Sequence, residues 1–141
     1  MRYRIRRMTP RDCEKVRALW STTPGIGLDP DCDSRRGIAA YLRRNPGMSS
    51  VACLGRQIVG AVLCGHDGRR GYLHHLAVLP SHRGRGLAKK LVSRCLRELA
   101  RRKIPKCNIF LFHTNAPGRS FWRHNRWALR LDLLVLQKKT W

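Results

Sequence analysis

Apolar residues at 87, 88, 91, 92, 95, 96 and 99 recur at intervals of three and four, which predicts an amphipathic helix over 86–103. Lys89, Lys90, Arg94, Arg97 and Arg101 fall on its outward face. Directly before it, Tyr72–Val78 reads as a strand, and the join carries Pro80 and the run Arg83-Gly84-Arg85-Gly86. A strand that feeds a long helix through a tight turn must fold that helix back onto a sheet to bury its stripe, so the chain belongs to an α/β or α+β class. Glycines at 84 and 86 allow close approach of backbone to ligand. The helix start supplies unpaired N–H groups and the positive end of a dipole, a setting for a diphosphate, with Arg83 and Arg85 at its rim. Three readings stand at this level: a phosphate cradle, a structural turn with solvated charges, or a nucleic-acid-binding tract.

Two rival nucleotide motifs fail on spacing. Walker A needs G-x-x-x-x-G-K-[ST], which is absent here. The dinucleotide fingerprint would want glycine where Lys89 stands and an acid about 20 residues on, where Ile104 stands. A bland arginine–glycine tract should be repeated and disordered. This one is single and lies between apolar periodic segments.

The rest of the chain fills in around that unit. Residues 3–6 alternate as a first strand, and Thr9-Pro10 opens a helix running to about Trp20. A loop through Pro24, Gly25, Gly27 and Pro30 leads to Asp33 or Ser34, either of which can cap a second helix that ends before Asn45-Pro46-Gly47. Strands follow near 48–54 and 57–64, then 72–78 and 106–113, a short helix over 117–124, and a closing strand pair over 127–137. The expectation is one domain over residues 1–141, with a mixed central sheet of six to seven strands and about four helices. Within the fourth strand, apolar positions 73, 76 and 78 break strict alternation, as a β-bulge would make them do.

Composition narrows the partners. There are 30 Lys and Arg against 8 Asp and Glu, for a net charge of +22. Such a charge draws anions without naming one. A hydrophobic fraction of 43% argues against disorder. Six cysteines show no C-x-x-C spacing and read as reduced thiols of a cytoplasmic protein, and Cys64-x-His66 is too sparse for zinc, so no metal is expected. No secretory h-region or run of about 20 apolar residues is present, which gives no reason to expect a membrane partner.

Leu76-Ala77-Val78-x-Pro80-x-x-Arg83-Gly84-x-Gly86-Leu87-Ala88 resembles the acyl-CoA signature of the GNAT superfamily of N-acetyltransferases. Asn115-x-x-Gly118-x-x-Phe121-Trp122-x-x-x-Arg126-Trp127 is similar to that family's second, looser motif. The resemblance implies a sheet whose fourth and fifth strands splay apart around acetyl-CoA, and direct attack of an amine on the thioester in a ternary complex. It implies that the backbone of Leu76, Ala77 and Val78 lines the pantetheine and polarises the carbonyl. Residues Arg83, Gly84, Arg85, Gly86, Leu87 and Ala88 would take the diphosphate. Asn115 would bond the cofactor's arm and Trp122 would flank it.

Proton transfer has fewer candidates. Relatives often carry a carboxylate on the fourth or fifth strand, yet neither 71–78 nor 106–113 contains Asp or Glu. Tyrosine, the family's frequent general acid, is replaced by Trp122. His74 and His75 are the candidate bases, His74 preferred because it shares a face with Tyr72, with His113, His66 and Asp67 behind them. The acceptor is expected to be a small molecule or a peptide amine, the protein a monomer or homodimer. A non-catalytic acyl-CoA-binding module is the runner-up, and nucleic acid is disfavoured as a partner because aromatic stacking platforms are sparse.

Overall fold

A computed structural model describes residues 2–141. Internal contacts divide the chain into two units, one running to Phe110 and one covering Leu111–Trp141.

In the first unit, β1 (Tyr3–Arg7), β2 (Ser50–Leu54), β3 (Gln57–His66), β4 (Gly71–Val78) and β5 (Cys107–Ile109) form one sheet in that order. Strands β1 to β4 pair antiparallel, β2 to β4 through short turns and β1 to β2 across the long excursion that carries both N-terminal helices. β5 lies parallel to β4, because α3 (Leu87–Arg101) carries the chain back across the sheet between them. The sheet is therefore mixed.

Local chemistry sets the helix starts. Asp12 takes the Thr9 N–H at 2.8 Å and both guanidinium nitrogens of Arg6 at 2.8 and 2.9 Å, fixing a turn that runs into α1 (Cys13–Ser21). Ser34 caps α2 (Arg35–Arg44), its hydroxyl accepting the Gly37 N–H at 3.0 Å. Asp33, the other candidate cap, is put to a different use.

The two sheet faces bury different helices. Val16, Leu19 and Trp20 of α1 and Ile38 and Leu42 of α2 pack with Val51, Ile58, Ala61, Leu63 and Ala77. On the opposite face α3 buries Leu87, Leu91, Val92, Cys95 and Leu99. Its Arg94 reaches the carbonyls of Gly47, Met48 and Ser49 at 3.0–3.4 Å and stitches the α2–β2 connection to the helix.

In the second unit α4 (Ala116–His124) starts at Asn115, whose side chain accepts the Gly118 N–H at 2.9 Å. Trp122 is buried against Phe121 and Trp127, with ring centroids 5.1 and 4.6 Å apart.

Two expectations are corrected. The sheet has five strands among the described residues instead of six to seven, and the fifth covers only Cys107–Ile109. Residues 127–137 contain no strand. Their alternation of Leu129, Leu131 and Leu133 with Arg130 and Asp132 mimics a half-buried strand, but the three leucines are exposed and the two charged residues pair with each other at 2.8 Å. Periodicity marks what could join a ladder, and a strand needs a ladder to join.

Candidate active site

The bulge expected in the fourth strand is present. Ala61 of β3 faces Ala77 and Leu63 faces His74, so β4 carries one residue more than its partner across that step. His75 sits at the extra position with φ of +59°, in the left-handed region. The consequence is facial. His74 packs its ring edge-on to Tyr41 of α2 at 5.9 Å and parallel to Tyr72 at 6.4 Å. His75 lies against Trp20 of α1 at 5.1 Å. Both imidazoles therefore stand on the α1/α2 face. A Cβ on Gly71 would run into Leu99, and one on Gly60 would meet Leu91 and Val78, so the alternate positions keep the α3 face.

Pairing of β4 with β5 covers three residues, Gly71 with Cys107, Tyr72 with Asn108 and Leu73 with Ile109. β5 ends at Ile109, so among the described residues this edge of β4 has no strand partner from His74 onward. Leu76, half-buried, and Ala77 and Val78, buried, follow on β4.

The loop after β4 delivers the helix start. Gly84 and Gly86 have φ of +75° and +76°, and Gly86 serves as the N-cap of α3. Side chains would be strained there. The Arg83 amide bonds to the Pro80 carbonyl, and among the described residues the next amide with a backbone partner is that of Lys90, which reaches Gly86. The N–H groups from Gly84 to Lys89, those of Leu87 and Ala88 included, are open to an anion. Of the two arginines, Arg83 turns back, its Nε donating to the Val78 carbonyl at 2.8 Å. Arg85 lies 6.0 Å from the Tyr3 ring.

One residue with a direct bond to a candidate base was not among the expected site residues. Asp33, in the loop between α1 and α2, places Oδ1 2.9 Å from Nε2 of His75. Its Oδ2 accepts the Asp29 N–H at 2.8 Å, so the carboxylate is held from both sides. The pair is largely buried, with side-chain exposures of 16% and 10%. A carboxylate on Nε2 favours the tautomer that carries its proton there, leaving Nδ1 as the acceptor. Nearby, Nε1 of Trp20 is buried without a hydrogen-bond partner. The sequence held a signal for this loop, since Asp29, Asp31 and Asp33 are three of only 8 acidic residues in the chain.

His74 differs electrostatically. Burial holds its pKa below the ordinary value, the neighbouring His75 pushes the same way, and Asp33 opposes. It is a neutral imidazole at physiological pH. His66 and Asp67 serve the β3–β4 turn instead: Nδ1 of His66 accepts from Gly68, and Asp67 accepts the amides of Arg69 and Arg70. No group of three or more His, Cys, Asp or Glu converges among the described residues.

The chain and its fold have relatives among known proteins. The model of the acetyltransferase (GNAT) family matches residues 13–125, and the chain belongs to that family. It is 32% identical to an acetyltransferase of Sodalis glossinidius over 91% of this chain and 89% of that one. The fold is similar to that of Ard1 from Thermoplasma volcanium, with a TM-score of 0.80 at 16% identity over 92% of this chain and 85% of that one. It is also similar to the PaiA N-acetyltransferase of Thermoplasma acidophilum in complex with coenzyme A, with a TM-score of 0.77 at 17% identity over 89% of each chain. The protein is an acyltransferase.

Proposed function

We propose that this chain is an N-acetyltransferase that moves an acetyl group from acetyl-CoA to a primary amine, by direct attack with both substrates bound, within one domain over residues 1–141. The family match crosses the division between the two units, which supports a single domain. The observation that carries the reading is the run of open amides from Gly84 to Lys89 beside a β4 edge that has no strand partner from His74 onward among the described residues. Acetyl-CoA supplies the activated acyl group. The loop Arg83–Ala88 holds its diphosphate through backbone N–H groups, and the backbone of Leu76, Ala77 and Val78 receives the pantetheine and thioester. Asn115 and Trp122 are assigned to the cofactor on the resemblance alone.

His75 acts as general base, taking the proton of the attacking amine on Nδ1, and Asp33 holds its ring and tautomer in place. His74 lies beside it as a neutral second candidate. The departing thiol, with a pKa of about 8.5, leaves as its anion without a dedicated acid. An indole such as Trp122 could not protonate it. The acceptor, a small molecule or peptide amine, meets the thioester from the α1/α2 face, where Tyr41 and Tyr72 stand with the two histidines. The six cysteines are free thiols, in keeping with a cytoplasmic location, and the protein works as a monomer or homodimer.

Calorimetry with acetyl-CoA, CoA and ATP tests the cofactor. Tight binding of acetyl-CoA that is lost in Gly86→Glu supports it, and equal affinity for ATP overturns it. Thiol release across a panel of amines, with His75→Ala and His74→Ala in parallel, tests the chemistry. Binding without turnover on any amine would leave an acyl-CoA-binding module.

A further inference from the structure

A cavity of about 760 Å³ runs along α3, and its lining includes Ile5 of β1 with Lys89, Lys90, Arg94, Arg97 and Arg101 of the helix. The β1 edge bounds it, whereas the unpartnered stretch of β4 beyond Leu73 lies toward the opposite edge of the sheet. The groove and the proposed acyl-CoA cleft thus flank α3 on different sides and meet at the helix start, at Gly86 and Lys89.

We propose that this groove docks the phosphate backbone of a nucleic acid. Five cations line one face of a helix of 15 residues, about 22 Å long. Its one acid, Glu98, is taken up by Arg101 at 3.1 Å and Arg102 at 2.8 Å. Arg94 is fixed to the backbone of residues 47–49, so its charge is part of the wall. Lys89, Lys90, Arg97 and Arg101 are exposed and project from the rim. A continuous row of positive charge matches a continuous row of phosphates, whose contacts carry affinity without reading sequence and without an aromatic platform, so the scarcity of aromatics that disfavours nucleic acid in the sequence does not bear on this groove. A membrane surface would call for an apolar face on the same helix, and an acidic protein for an apolar centre within the patch. Among the described residues of the lining, Ile5 is the only large apolar side chain. The surplus of 22 positive charges becomes, in this groove, an address.

The test is fluorescence anisotropy with a labelled oligouridylate, at several salt concentrations. Four exposed cations releasing counterions from a single strand predict a loss of affinity of roughly fiftyfold between about 50 and 200 mM salt. Lys90→Glu/Arg97→Glu should weaken binding by about tenfold or more and flatten the salt slope, and Lys89→Gln/Arg101→Gln gives a second, milder pair. The charge-matched Arg43→Glu/Arg44→Glu on α2 should weaken it far less. Saturating acetyl-CoA should leave the oligonucleotide bound. Equal losses from the α2 and α3 variants, displacement by acetyl-CoA, or tighter binding to phosphatidylserine vesicles or polyglutamate than to the oligonucleotide would each overturn the proposal. None of these outcomes bears on acetyl transfer, which is assayed separately.

Discussion

Nε2 of His75 stands 2.9 Å from Oδ1 of Asp33, joining two residues 42 positions apart at the bulge of β4. If this pair removes the amine proton, His75→Ala lowers kcat by about a hundredfold or more, the usual scale for losing a general base. Asp33→Asn keeps the shape and removes the charge, so kcat falls while KM for acetyl-CoA stays near that of the parent. Steady-state kinetics with calorimetry on the same variants makes the comparison. A fall in acetyl-CoA affinity matching the fall in kcat would assign the pair to cofactor binding instead.

Acid should destabilise the fold through His74. Its folded pKa lies below the unfolded value, chiefly because burial disfavours the charged ring. Between the folded value and about 6.5 the unfolded chain binds more protons, so stability from this group is complete above about pH 6.5 and is lost as pH falls toward the folded value. Thermal melts across this range should show Tm falling on acidification, and His74→Phe should flatten the fall. An unchanged slope in the variant refutes the assignment.

At Gly86 a side chain meets open space but a strained backbone, with φ of +76°. Gly86→Ala should therefore cost about 1 kcal/mol in denaturant unfolding. Gly86→Glu adds a negative charge at the mouth of the amide cradle, and acetyl-CoA binding should disappear while the protein stays folded. Retained binding in Gly86→Glu would move the diphosphate elsewhere.

Gly65→Ala tests how closely α2 sits on the sheet. The new Cβ would collide with the Tyr41 hydroxyl and come within 2.7 Å of Nδ2 of Asn45, the residue whose Oδ1 accepts the His66 N–H. Overpacking of this kind costs about 1–3 kcal/mol. Because Tyr41 also borders His74, turnover should fall along with Tm. A variant as stable as the parent would mean that α2 yields more readily than the packing implies.

Much of the architecture was legible because it is local. The α3 stripe, a cap for α2 at Asp33 or Ser34, and the bulge all follow from spacing within a few residues, the last from apolar positions 73, 76 and 78 alone. Asp33 was read only as a possible helix cap because its partner lies 42 residues away, and no local pattern encodes that meeting. The strand expectation for 127–137 failed for the converse reason: alternation there is clear, but no strand forms over these residues and their leucines stay exposed. Arg83 was expected at the rim of the anion site, and its own carbonyl partner at Val78 draws it back.

That Arg83–Val78 bond also acts as a tether. It ties the turn proposed to grip the phosphate end of the cosubstrate to the last residue of the strand proposed to hold its reactive end. A molecule that seats itself at one end thereby stiffens the other, and cutting the tether with Arg83→Met should loosen both grips together, leaving the thioester less well aimed even where it still binds.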